Sequence, residues 1–114
     1  MDNFKIKMAQ CDLELTNSKF EECIKKPLAV VDFFADWCMP CLMMAPVIEE
    51  LSEKFNGKVN FGKVNIDENS DIASKFKITS VPTLLVFKKG QVIDKIYGAL
   101  PIGIIEKKIN EHLK

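Results

Sequence analysis

Two cysteines that stand two residues apart, Cys38 and Cys41, are the side chains of this sequence best suited to chemistry. They lie in the stretch DWCMPCLM, which places Pro40 between them. A pair with this spacing can supply half of a zinc site, a structural crosslink, or a nucleophile with the thiol that resolves its intermediate. Each possibility makes a different demand on the rest of the chain.

A zinc site would need ligands that this sequence does not offer in a suitable pattern. Four-cysteine sites normally use two CxxC pairs, and the other cysteines, Cys11 and Cys23, are isolated. His112, the sole histidine, is near the C-terminus, and we interpret it as a solvated helix residue and not as the partner of a catalytic cysteine. We therefore predict no metal site, and we interpret Cys11 and Cys23 as inert thiols of the core.

Length and hydropathy favour one globular domain. A chain of 114 residues can bury one core, and no stretch approaches the roughly 20 apolar residues of a membrane span. The start, MDNFKIKMAQCDLELT, alternates apolar with polar side chains and lacks the apolar run of a signal peptide. We therefore expect a cytoplasmic protein that does not bind membranes, in a compartment where structural disulfides are uncommon.

The charge balance argues against nucleic acid and nucleotide partners. The 16 basic and 16 acidic residues cancel, so the chain lacks the basic surface that displaces counterions from a nucleic acid. All 16 basic residues are lysine, which cannot form the planar bidentate fork of arginine. The five glycines form neither a Walker nor a dinucleotide-binding pattern. We expect no nucleic acid partner and no cofactor.

The pattern along the chain predicts strands and helices in alternation, followed by a hairpin. The predicted order is strand, helix, strand, helix, strand, helix, strand, strand, helix, beginning with a strand at CDLEL. LAVVDFFA is a near-continuous apolar run, typical of a strand buried on both faces, and the Lys89-Gly90 turn joins the last two strands. This order predicts an α/β fold with a mixed sheet and helices on both faces.

The cysteine pair falls where the second predicted strand ends and the second predicted helix begins, a position where α/β folds place their chemistry. A thiolate at a helix N-terminus faces unpaired N–H groups and the positive end of the helix dipole, which lowers its pKa. Cys38 would stand at that cap, and Cys41, one turn later, could attack a mixed disulfide formed at Cys38. Pro40 fits a first turn because its missing N–H would have no helical partner there. The position favours a redox pair.

Several segments of the chain resemble the thioredoxin family, over Asp12 to Leu113. They are VVDFFADWCMPC, APVIEEL, GKVNID, VPTLLVFKKG and YGAL. The resemblance implies a thioredoxin fold, in which a central mixed sheet of about five strands is flanked by four helices. It also implies a single domain over residues 12–114, preceded by an N-terminal extension or edge segment over residues 1–11.

The same resemblance implies a catalytic role for four side chains. Cys38 matches the family's attacking cysteine, and Cys41 matches its resolving cysteine. Asp32 matches a buried carboxylate that relays the proton of the resolving thiol, and Lys63 matches the lysine that pairs with it. The apolar residues on both sides of Asp32 argue against a solvated strand position, whereas Lys63 could equally be a surface lysine.

A second group of residues matches the groove in which the family receives its partner's chain. Within this group the resemblance implies a cis peptide bond before Pro82, at a position that faces the disulfide. The group consists of Trp37, Pro40, Ile66, Val81, Pro82, Gly98 and Ala99.

Three residues depart from the family's commonest pattern. Met39 replaces a glycine, Leu42 stands where many members carry lysine, and Phe34 takes a position often held by tryptophan. The first two changes bear on the redox potential and on the range of partners. We interpret Met43 and Met44 as packing residues of the helix.

The resemblance implies a thiol–disulfide oxidoreductase that reduces disulfides in other proteins through a Cys38–Cys41 dithiol/disulfide cycle. It implies protein disulfides as substrates, a thioredoxin reductase or equivalent electron donor, and a role in electron transport and cell redox homeostasis. We expect a monomer. Two alternatives stay open: a net disulfide oxidant or isomerase of the same fold, and a non-enzymatic subunit with incidental cysteines.

Overall fold

Residues 17–114, which are the residues that the computed structural model describes, form helices and strands that alternate except for two consecutive strands before the last helix. Cys11, the predicted strand at CDLEL and the predicted domain start at residue 12 lie outside them. The elements are helix α1 (Asn17–Ile24), strand β1 (Ala29–Phe34), helix α2 (Met39–Lys54), strand β2 (Asn60–Asn65), helix α3 (Ser70–Lys75), strand β3 (Thr83–Lys88), strand β4 (Gln91–Tyr97) and helix α4 (Ile102–Leu113).

The strands form one mixed sheet in the order β2-β1-β3-β4. Strand β1 pairs in parallel with β2, to which α2 connects it, and antiparallel with β3. Strands β3 and β4 are antiparallel neighbours, as the short turn between them predicts. The mixed sheet and the thioredoxin fold are confirmed. The described residues contain four strands where about five were predicted, and the predicted strand at CDLEL lies outside them.

The central strand β1 is buried from Ala29 to Phe33, and only its last residue, Phe34, is half-buried, which explains its near-continuous apolar sequence. Side chains alternate between the two faces of a strand, so Val30 and Asp32 point to one face and Val31 and Phe33 to the other. Val30 belongs to one core cluster and Val31 and Phe33 to a second. Asp32 is the exception to the apolar pattern because it carries a carboxyl group, and it is nevertheless buried, with only 1% of its surface exposed.

Helices cover both faces of the sheet, as predicted. On the Val30 face, α2 contributes Met44, Ile48 and Leu51, and α4 packs beside it with two fully buried isoleucines, Ile105 and Ile109. The opposite face packs against α1 and α3. Aromatic rings meet there edge to face, at centroid distances of 5.4–5.9 Å, and they belong to Phe20, Phe76 and Phe87.

A polar contact joins the last helix to the last strand. The Nε2 atom of His112, on α4, lies 2.9 Å from Oδ2 of Asp94 on β4. The His112 side chain is 23% exposed, so the prediction of a solvated residue is wrong. A stripe of isoleucines turns this side of α4 towards the sheet and brings His112 within reach of the strand. Among the described residues, no helix is long and apolar enough to cross a membrane.

Candidate active site

Cys38 occupies the N-cap of α2, four residues after the end of β1. Its backbone is extended, with φ −92° and ψ 108°, and the helix begins at the next residue. The Cys41 N–H donates a hydrogen bond to Cys38 Sγ over 3.1 Å. This N–H is one of the first-turn donors that have no partner inside the helix, so the sulfur caps the helix in the way a serine oxygen does.

A disulfide joins Cys38 to Cys41, with the two Cα atoms 5.2 Å apart. Residues three positions apart lie on the same side of a helical turn, which brings the two sulfurs together. Pro40 is exposed in this first turn, where its lack of an N–H costs no hydrogen bond. The structure therefore represents the oxidised form of a pair that can carry two electrons.

The disulfide lies in a small apolar cluster at one edge of the sheet. Both cysteines are 4% exposed and pack with Ala35, and three half-buried side chains complete this active-site cluster: Phe34, Ile66 and Val81. Phe34 is the last residue of β1, and Ile66 comes directly after the last residue of the parallel strand β2. Val81 lies two residues before the start of β3. The antiparallel pairing of β1 with β3 brings these strand ends to the same edge of the sheet.

The peptide bond between Val81 and Pro82 is cis, which confirms the geometry that the resemblance implied. The Pro82 carbonyl accepts a hydrogen bond from the Gly98 N–H over 2.9 Å. Gly98 has φ +83°, a conformation that favours glycine, and Ala99 beyond it is exposed. This bond holds the turn that ends β4 beside the cis-proline.

Trp37 stands beside the disulfide and is 70% exposed, so it is not part of the core. Its indole Nε1–H donates to Oδ2 of Asp67 over 2.9 Å. Asn65 in turn accepts the Asp67 N–H over 2.9 Å, which fixes the turn after β2. Asp67, which orients Trp37, was not predicted from the sequence as a site residue. The only signal was its place two residues after the end of a strand that borders the site.

Asp32 is buried on the face of β1 that α2 covers. One of its oxygens, Oδ1, has no hydrogen-bond partner. Burial raises the pKa of Asp32 from 3.8 to about 7, against the opposing effect of the Lys63 charge. A carboxyl group with this pKa exchanges a proton readily near neutral pH.

Lys63 is the neighbour of Asp32 in the parallel register of β1 and β2. No ion pair joins their side chains in the described part of the chain, and the Lys63 Nζ atom lies 5.0 Å from the centroid of the Phe34 ring. Lys63 also lines a cavity of about 210 Å³ between α2 and β2, together with Glu49 and Ser52. Its charge therefore acts on Asp32 through space.

The geometry at the edge of the sheet agrees with the sequence comparisons. The sequence model of the family described as Thioredoxin matches residues 11–111. The chain belongs to the thioredoxin family. A thioredoxin of Chlorobaculum thiosulfatiphilum is 47% identical over 102 residues, which cover 88% of this chain and 94% of that protein. The thioredoxin of Staphylococcus saprophyticus is 44% identical over 101 residues, covering 89% of this chain and 97% of that protein.

A solved structure of Plasmodium falciparum thioredoxin gives the same result in three dimensions. It superposes with a TM-score of 0.80 at 37% identity, and the match covers 88% of this chain and 97% of that one. The chain is thus a thiol–disulfide oxidoreductase of the thioredoxin family. Its redox centre is the Cys38–Cys41 pair.

Three further side chains of this thioredoxin-family protein were predicted to pack inside the protein. Met44 is 2% exposed and packs in the core, as predicted, but Met43 is 70% exposed, so its interpretation as a packing residue is wrong. A helix turns by about 100° per residue, and this turn carries Met43 to the outer face. Cys23 is buried as predicted, yet it is disulfide-bonded and not a free thiol. The apolar stripe that places Cys23 in the core does not determine the oxidation state of its sulfur.

Proposed function

We propose that this protein is a net reductant of disulfides in other proteins and that Cys38 makes the first bond to each substrate. The observation that carries the proposal is the position of the Cys38–Cys41 pair at the N-terminus of α2, inside the apolar active-site cluster. In the reduced form the Cys38 thiolate attacks a substrate disulfide. A mixed disulfide forms between Cys38 and one substrate sulfur, and the other substrate sulfur leaves as a thiolate.

The second step completes the transfer of the electron pair to the substrate and re-forms the protein's own disulfide. Cys41 loses its proton and attacks Cys38 Sγ, which breaks the mixed disulfide and releases the second substrate thiolate. The substrate has then gained two electrons, and Cys38 and Cys41 are again joined. An electron donor of the thioredoxin-reductase class would restore the dithiol.

Asp32 is the proposed acceptor of the Cys41 proton. Three observations support this role: its place on the face of β1 that α2 covers, an oxygen without a hydrogen-bond partner, and a pKa of about 7. A base with a pKa near the working pH is the most effective, because it is largely ionised and still binds the proton. Lys63 is proposed to keep the charged form of Asp32 accessible by lowering its pKa.

Positioning is expected to contribute more to the rate than thiolate chemistry does. For a thiol whose pKa falls from about 8.5 to about 7, the ionised fraction at pH 7 rises roughly 16-fold. Nucleophilicity falls with the pKa at a Brønsted slope of about 0.45, which takes back roughly fivefold and leaves a gain of about threefold. Well-oriented neighbouring groups reach far larger effective concentrations, so the proximity of Cys41 to Cys38 favours the second step strongly.

The proposed binding groove surrounds Cys38 with residues from four separate loops. Hydrogen bonds inside the protein hold two of its walls, from Trp37 to Asp67 and from Gly98 to Pro82. Walls that are fixed before binding lose little conformational entropy when a partner docks. The groove residues are Trp37, Pro40, Ile66, Val81, Pro82, Gly98 and Ala99. The same proposal places the protein in the cytoplasm as a monomer without a cofactor.

A redox titration against glutathione tests the direction of electron flow. We expect a reduction potential close to that of thioredoxin, about −270 mV, and below the range of about −200 to −230 mV found for glutaredoxins. Substrate reduction in a coupled assay should disappear in Cys38→Ser. A reduction potential above about −180 mV would contradict the proposal that the protein is a net reductant and would favour the oxidant or isomerase. Full activity in Cys38→Ser would contradict the assignment of the attacking cysteine.

A further inference from the structure

The outer face of α2 is apolar over its first two turns. Met39, Leu42 and Met43 have relative exposures of 66%, 57% and 70%. Their spacing of i, i+3 and i+4 places them side by side on the helix surface, away from the buried Cys41 and Met44. We call these three residues the apolar platform.

Packing inside the protein does not account for this surface. A helix that lies on a sheet normally turns charged and polar residues outward, and α2 does so further along, where Glu49, Glu50 and Glu53 are exposed. Large exposed hydrophobic side chains among the described residues number eight, and four of them fall within residues 37–43. Such side chains are unremarkable when scattered singly, but a contiguous group indicates an interaction site.

The chemistry of the redox pair determines what must lie over the platform. In a mixed disulfide the partner's cysteine is bonded to Cys38 Sγ, at the start of the same helix. A helix rises 1.5 Å per residue, so Leu42 and Met43 lie about 6 and 7.5 Å along its axis from Cys38. An extended chain spans about 3.3–3.6 Å per residue. Partner residues one to three positions from the attacked cysteine therefore reach the platform.

We propose that the platform binds an uncharged, apolar segment directly next to the attacked cysteine of the partner protein, so that Met39, Leu42 and Met43 select among substrates. This inference rests on the proposed function. A charged partner residue placed over the platform would lose hydration without gaining a counter-charge, whereas an apolar residue gains free energy by leaving water. The flexible thioethers of two methionines can adapt to apolar partners of different shapes.

Two matched disulfide-bonded peptides test this selection. One carries leucine and phenylalanine on both sides of its cysteine, and the other carries serine and aspartate there. The measured quantity is the ratio of kcat/KM for the two peptides on the same protein, because a change in thiolate reactivity or redox potential affects both and cancels. We expect wild type to prefer the apolar peptide by at least tenfold.

The variant Met43→Ser and the double variant Leu42→Ser/Met43→Ser should lower that ratio stepwise. Burial of roughly 50 Å² of a side chain, at about 25 cal/mol per Å², corresponds to about eightfold for each residue removed. Ile104→Ser is the matched control. Ile104 is an apolar side chain on α4, 47% exposed and outside the platform, so its removal should leave the ratio unchanged.

The outcomes separate this inference from the proposed function. If wild type reduces both peptides with equal kcat/KM, or if Ile104→Ser changes the ratio as much as Met43→Ser does, platform selection is overturned and the reductase stands. If neither peptide is reduced, the proposed function itself fails. Sedimentation of wild type and Met43→Ser supplies one more outcome: a dimer that Met43→Ser dissociates would show that a second copy covers the platform, and this would overturn the partner segment as occupant.

Discussion

Cys38 and Cys41 are equally buried, yet their backbone positions predict different reactivities once the disulfide is reduced. Cys38 Sγ accepts the Cys41 N–H at the helix N-terminus, whereas Cys41 lies within the helix. Hydrogen bonds to a thiolate favour its ionisation. We expect limited alkylation of the fully reduced protein near pH 6.5, followed by peptide mapping, to label Cys38 first. Preferential labelling of Cys41 or Cys23 would contradict this assignment.

Asp32→Asn is expected to slow resolution of the mixed disulfide by roughly 100-fold or more, since a general base typically contributes about 100- to 10,000-fold, while mixed-disulfide formation changes less. The amide cannot take up the Cys41 proton, but it leaves the groove unaltered. Stopped-flow kinetics on a model disulfide separate the two steps. The wild-type second step should also slow as pH falls through about 7, where Asp32 becomes protonated, and this dependence should vanish in Asp32→Asn. If the rate of the second step is the same in Asp32→Asn as in wild type, Asp32 has only a structural role.

Individual residues divide clearly into those that the sequence could identify and those that it could not. The cysteine pair was evident from spacing. The role of Asp32 came from the family resemblance, and the apolar residues around it indicated only that it is buried. The link from Asp67 to Trp37 depends on the conformation of a turn, which the sequence does not display. The cis bond at Pro82 came only from the family resemblance, because most bonds that precede proline are trans.

Helix α2 joins the redox centre to the core, and its first turn is expected to tune the redox potential. Leu42→Lys would place a positive charge one turn from Cys38, at a position that is 57% exposed. An exposed charge contributes about 0.3–1 kcal/mol, so the thiolate gains stability and the dithiol form is favoured. We expect a less negative potential, by on the order of 10 mV at pH 7 and more at pH 8, where more thiolate is present.

Glutathione redox titration at both pH values measures this shift. The control is Ile104→Lys, which adds the same charge at an exposed apolar position of α4. A more negative potential in Leu42→Lys would contradict the electrostatic account. An equal shift in Ile104→Lys would assign the effect to net charge instead of to the helix N-terminus.

Elements were easier to predict than their surfaces. The apolar run of β1 and the short turn after β3 determine the pairing of the central strands, so the order of elements followed from pattern alone. The exposed apolar face of α2 could not be predicted in this way. Met43 and Met44 are adjacent methionines in the sequence, and only the rotation of the helix about its axis, its phase, decides which of them is exposed. That phase depends on where Cys38 caps the helix.

Among the described residues, two acidic groups affect the stability of the whole molecule in opposite directions. Asp32 has a higher pKa in the folded protein than in the unfolded chain, so the folded state binds the proton more tightly. Asp94 has a lowered pKa, because the hydrogen bond from His112 and other favourable contacts outweigh the opposing effect of burial. The free energy of unfolding should therefore decline on both sides of a maximum near pH 4.

The decline above the maximum is the sharper test. With folded and unfolded pKa values of about 7 and 3.8, ionisation of Asp32 costs stability progressively as pH rises from about 4 to 7, by a few kcal/mol in total. Urea unfolding of the oxidised protein at intervals from pH 3 to 8 measures this loss.

The free energy of unfolding of Asp32→Asn should be nearly constant between pH 4 and 8, and at pH 8 this variant should be more stable than wild type. Asp94→Asn should keep the wild-type slope above pH 4 and lose less stability below it. A wild-type curve that stays level from pH 4 to 8 would mean that Asp32 is ionised throughout, and it would remove the physical basis for its role as the proton acceptor.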